Sequence, residues 1–166
     1  MLGRSGVVEA DWTFQISGLS SAGVIRANDE ALDRSLARVV VNGRDITDVA
    51  YDFQSGDVDG IEVVLTRRVG GISGTVADRA IDALAVVVFG ADGDSWPYLS
   101  RTLHVVQPAL TGAFNVPGLL PGRYFAVAVR SGTPRTPEAL ATLRSVATPV
   151  VVTEGANTAI KLTIVK

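Results

Sequence analysis

Only one histidine, His104, is available for acid–base or metal chemistry in this 166-residue chain. It stands in the alternating run Ser100-Arg-Thr-Leu-His-Val-Val106. Imidazole titrates near neutral pH, so a base or a ligand is conceivable there. Alternation, however, puts His104 on one strand face with Thr102 and Val106, and puts Leu103 and Val105 on the other. A partly exposed strand histidine is the expected outcome. Cysteine is absent, which excludes disulfides, thiolate metal sites and a cysteine nucleophile together. Asp92-Gly-Asp94-Ser95 has the aspartate spacing of a calcium loop, but hard cations need six or more oxygens and no bidentate glutamate closes the run. Turn chemistry accounts for it. No catalytic set, metal or cofactor is therefore expected. What remains is Trp96-Pro97-Tyr98 with Arg101, an aromatic and guanidinium group on a loop, able to stack on a sugar or dock a peptide. The competing expectation is a loop aromatic folded over the end of the fold or against a preceding unit.

Those residues sit in a chain that repeats itself. Phe14-Gln-Ile-Ser-Gly18-Leu19 reappears as Phe114-Asn-Val-Pro-Gly118-Leu119, and Gly56-Asp-Val-Asp-Gly-Ile61-Glu-Val63 has the shape of Gly155-Ala-Asn-Thr-Ala-Ile160-Lys-Leu162. Two copies of one β-rich unit are read from this, residues 1–68 and residues 69–166. The copies are unequal. Strand-like runs, 71–76 and 83–89, precede the second Phe-x-Val-x-Gly-Leu, whereas little precedes the first. The first unit is expected to lack its opening strands and to expose a strand edge. Residues 1–10 could fold back on that edge, a second chain could pair with it in a homodimer, or the second unit could cover it; the short join at Arg67-Arg68-Val69-Gly70 favours covering.

Composition supports a folded β protein: 47% hydrophobic, with 17 glycines and 7 prolines. Net charge is −2 with both signs interspersed, which gives no electrostatic footprint for nucleic acid. No apolar run approaches the ~20 residues of a membrane helix, so direct membrane insertion is not expected, and the start has no signal-peptide core.

Periodicity predicts strands at 11–16, 23–27, 36–41, 44–48 and 61–66, with Asn42-Gly43 as a type I′ hairpin turn. Tyr51 and Phe53 are expected to plug an open end of the core. The second unit is predicted to have strands near 71–77, 83–90, 100–107, 112–116, 122–130, 149–153 and 158–165. A helix begins at Thr136 as N-cap, with Pro137 at the first position, Glu138 in the first turn and a stripe of Leu140, Leu143 and Ala147. That helix is expected to lid one end of a sandwich. Tyr124, on an inward face, is expected to tie its hydroxyl to backbone.

The run Gly112-Ala-Phe114-Asn-Val116-Pro-Gly118-Leu119-Leu-Pro121-Gly122-Arg-Tyr124-Phe-Ala-Val127, with Ile72-Ser-Gly74-Thr-Val76 and Ala83-Leu-Ala-Val-Val-Val88, resembles the carboxypeptidase regulatory-like domains, near transthyretin-like and collagen-adhesin B-type modules. Val41-Asn42-Gly43-Arg44-Asp45-Ile-Thr47-Asp48 is similar to a hairpin of bacterial arrays of that kind. The resemblance implies an all-β protein of tandem Greek-key-type sandwiches, prealbumin-like, the first incomplete and the second complete with one short helix. The fold's purine-pathway hydrolase uses several histidines and a terminal Tyr-Arg-Gly-Ser; this chain has His104 alone and ends Ile164-Val-Lys166. Self-formed lysine–asparagine crosslinks of related adhesins need a buried lysine, whereas alternation turns Lys161 outward and Lys166 is terminal.

The expected function is a non-catalytic structural or interaction module of a larger bacterial protein. Its expected location is extracellular, periplasmic or on the cell surface, with neighbouring domains as partners. The alternative is a carbohydrate- or peptide-binding accessory module of a hydrolase, using residues 92–101 with Trp96, Tyr98 and Arg101.

Overall fold

Turn chemistry cuts the amino-terminal strands short. The computed structural model describes residues 4–27, 34–77, 83–91, 96 and 100–165. Its first strands are β1 (Ala22–Gly23), β2 (Ser35–Val41), β3 (Arg44–Asp45), β4 (Tyr51–Asp52) and β5 (Ile61–Thr66), paired as β1-β4 and as β3-β2-β5. Asn42 (φ 50°) and Gly43 (φ 77°) both take positive φ, the type I′ geometry expected of Asn-Gly. The return strand was expected to reach Asp48, but it stops at Asp45. There the Asp45 carboxylate accepts from the Thr47 amide at 2.9 Å and from the Thr47 hydroxyl, bending the chain inward. Thr47 Oγ1 in turn accepts from the Val39 amide at 3.0 Å, so this buried hydroxyl replaces a ladder bond.

In β2 the pairing with β5 shifts between Leu36 and Arg38. This bulge lets Leu36 and Val39, three residues apart, enter one core with Val41, Ile25, Ile46 and Phe53. Tyr51 packs against that core, its ring 5.1 Å from that of Phe53. The strand expected over 11–16 is not formed. The Asp11 carboxylate takes the Thr13 amide (3.1 Å) and hydroxyl (2.7 Å), and Trp12 adopts φ 67°, so the chain reverses where alternation called for extension. The result is a small hairpin, with a single bridge from Val8 to Phe14 and a Glu9 amide bond to the Thr13 carbonyl at 2.8 Å. Residues 6–8 thus fold back on 14–15, the course judged less favourable from the sequence.

From residue 70 onward each expected strand is present, with ends displaced by up to three residues. The elements are β6 (Gly70–Val76), β7 (Leu84–Gly90), β8 (Leu103–Val106), β9 (Ala113–Leu119), β10 (Gly122–Arg130), α1 (Pro137–Arg144), β11 (Thr148–Val152) and β12 (Asn157–Leu162). They form a three-stranded sheet, β12-β6-β9, and a four-stranded sheet, β11-β10-β7-β8, neither closed. Ile72, Val76, Phe114, Val116, Leu119 and Leu162 from the first meet Val86, Val88, Tyr124, Ala126, Ala128, Val150 and Val152 from the second. That interdigitated layer makes the all-β sandwich.

Strand β7 is buried on both faces, which is why 84–89 reads as an unbroken apolar run. Ala85, Val87 and Phe89 point away from the sandwich core into a second cluster with Val127, Val129, Trp96 and Leu140, flanked by Leu143, Ala147 and Val165. Helix α1 therefore covers the outer face of the larger sheet and does not lid an end. Its start is as expected: Thr136 caps the Ala139 amide at 3.3 Å, with Pro137 following.

Candidate functional site

Three charged groups, Arg26, Asp48 and Arg101, meet between the amino-terminal sheets and the sandwich. Asp48 follows the Asp45 turn and is held at the surface of the first core by Ile46 and Thr47, both buried. Arg26, just after core residue Ile25, places Nη2 2.8 Å from Asp48 Oδ1 and donates through Nη1 to the Thr47 carbonyl. From the other side comes Arg101, at the turn that opens β8. Its amide donates to Asp48 Oδ1 at 3.1 Å, and its Nε lies 3.2 Å from Asp48 Oδ2. Arg101 Nε is buried without an aligned hydrogen bond, so that contact acts through charge. Arg101 Nη1 completes the grip by donating to the carbonyl of Ala37. Ala37 is the bulge residue of β2, with no partner across the ladder, so the irregularity supplies an acceptor that a regular strand would have used.

One carboxylate is thus clamped by two guanidinium groups from opposite sides. The side chains are only about a quarter to a third exposed, 25% for Arg26, 30% for Asp48 and 29% for Arg101. Burial pulls the Arg26 guanidinium below its usual range; Asp48 opposes that shift and Arg101 adds to it. Beside the clamp the Ser35 hydroxyl donates to the Gly118 carbonyl, a second tie between the halves. Near the join, Arg68 and Glu154 approach at 3.2 Å on the surface, a pair that contributes at most ~1 kcal/mol.

Of the residues singled out from the sequence, Trp96 and Arg101 do not share an exposed surface. Trp96 is 3% exposed, its Nε1 donates to the Gly90 carbonyl at 2.8 Å, and its ring meets Phe89 edge-on at 5.2 Å. The exposed-aromatic expectation is therefore corrected for Trp96: an apolar outer sheet face beneath the loop draws the indole in. Arg101 is turned to Asp48. Tyr98, like Asp92 and Asp94, lies outside the described residues.

His104 lies opposite Val88 on the edge strand β8, half-buried, with its pKa pushed down by burial and held back by a hydrogen bond to the Arg101 backbone. Tyr124 donates its hydroxyl to the Leu120 carbonyl at 3.0 Å, the backbone tie expected of it; burial raises its pKa and Arg101 opposes that. Among the described residues no three His, Cys, Asp or Glu side chains come together as metal ligands.

Sequence reasoning missed Asp48 and Arg26. Asp48 lies 53 residues from Arg101, beyond any local spacing rule. The available signal was Asp45-Ile-Thr-Asp48 itself, a run too polar for the strand assigned to it. Scanned against protein-family models the chain gives no match, and no curated protein matches it.

Proposed function

We propose that this chain is a non-catalytic structural or interaction module of a larger bacterial protein, secreted or surface-associated, built from tandem Greek-key-type units akin to the carboxypeptidase regulatory-like domain. The observation that carries the reading is the clamp. The charged groups best placed for chemistry are spent on fixing one set of sheets against the next, with Arg101 satisfying a carboxylate and a bulge carbonyl at once. A binding loop keeps such groups open to ligand, whereas a spacer gains by restricting the motion between its units.

The reading is tested by NMR relaxation on the whole chain. Residues 35–66 and 70–162 should share one rotational correlation time, and Arg101→Ala should separate the two values. Separate values in the unsubstituted chain would count against it. Glycan or peptide binding lost on Tyr98→Ala would replace it with the accessory-module alternative; Trp96→Ala is unsuited to that purpose because it opens a core.

A further inference from the structure

The two copies of Phe-x-[Ile/Val]-x-Gly-Leu have different neighbours. Gly18 and Gly118 both adopt φ 72°, Gly118 within β9 where its register against β6 shifts. In the second copy, β6 pairs antiparallel with β9, with Gly74 opposite Phe114 and Ile72 opposite Val116. Gly74 is required there, because a Cβ would lie 2.0 Å from the Ile160 carbonyl oxygen and 2.9 Å from Phe114 Cζ. The ring lies across the glycine and is only 6% exposed.

In the first copy the antiparallel neighbour is the fold-back of residues 6–8, and Val8 stands opposite Phe14. A valine cannot let the ring close over it. Phe14 and Ile16 accordingly remain half-buried, while Val8 is 55% and Trp12 67% exposed. Phe14 makes the one strand bridge found for 14–19 among the described residues.

We infer that residues 14–19 form an acceptor edge for an extended strand from another sandwich unit, patterned Gly-x-Ile-x-Gly-x-Val like residues 70–76, and that residues 6–8 hold the edge provisionally. The chain supplies the template for the occupant in its own second copy. The incoming strand sets glycine against Phe14 and a β-branched residue against Ile16, and buries the ring as Phe114 is buried. This is β-strand addition, with backbone bonds giving affinity and the glycine giving selectivity. The inference goes beyond the structural role proposed above and does not rest on it.

The probe is a synthetic peptide of residues 68–77, titrated into the whole chain and followed by Trp12 fluorescence and amide hydrogen exchange. Saturable binding should protect amides 15–19 and release those of 6–8. A peptide carrying Gly74→Val should bind about tenfold more weakly or worse, because the added bulk meets the ring. Val8→Pro in the chain, at an exposed position outside all three apolar clusters, should tighten binding by loosening the fold-back. Equal binding of both peptides, or no protection of 15–19, would overturn the inference. So would a dimer of the unmixed chain in which 15–19 are already protected, since the occupant would then be a second copy.

Discussion

At the scale of single residues, the sharpest test lies in His104. Its folded pKa is depressed below 6.5, mainly by burial. The unfolded chain therefore takes up the proton first as pH falls. Stability associated with this group is fully present above pH ~6.5 and is lost as pH drops toward and through the folded pKa, by up to about 1.4 kcal/mol per unit. Denaturant melts between pH 7 and 5 should show that decline, and His104→Gln should flatten it. Asp11, Asp45 and Glu138 are shifted down as well, so their contributions are lost only in a more acid window, below about pH 4.5. A slope that persists in His104→Gln above pH 5 would assign the effect elsewhere. The histidine's strand and facing were legible from alternation. Arg101's role was not, because its carboxylate partner is remote in sequence and its carbonyl partner exists only where β2 bulges.

At the scale of elements, legibility tracked how far a segment's hydrogen bonds stay in a regular ladder. Strands β7 and β10 were read nearly as they stand, β9 was read three residues short, and α1 began at its expected cap. Two of the failures, at 11–16 and 44–48, share a cause: an aspartate two residues before a threonine. Asp11 with Thr13, and Asp45 with Thr47, each replace a ladder bond by a side-chain bond and turn the chain. Periodicity counts apolar positions and is blind to that competition.

The position of α1 was missed for a different reason. An apolar stripe states that a helix is covered, but not by which surface; the unbroken run 84–89 held the answer, since a strand buried on both faces demands a second layer. Trp96 belongs to that layer, with both its ring and its donor satisfied. Trp96→Ala should cost about 3–5 kcal/mol in equilibrium unfolding, with loss of the shielded indole signal. A cost below ~1 kcal/mol would show that the outer layer contributes little.

At the scale of the whole molecule, the contacts between the amino-terminal sheets and the sandwich came only from the structure. One further feature bears on what a chain of this kind can withstand. Strand β6 opens the sandwich and β12 closes it, and the two lie parallel, from Gly71 beside Asn157 to Val76 beside Leu162. A pull applied to the chain on either side of the sandwich drags these neighbours in opposite directions along their common axis. Every bond of that ladder is loaded together, in shear, whereas an antiparallel hairpin pulled from its open end parts one bond at a time. In single-molecule stretching, the sandwich held at residues 70 and 162 should yield at higher force than when held at 86 and 106, the open end of the antiparallel β7–β8 pair. Pairing of the first and last strands is expected to let the sandwich resist tension along the chain.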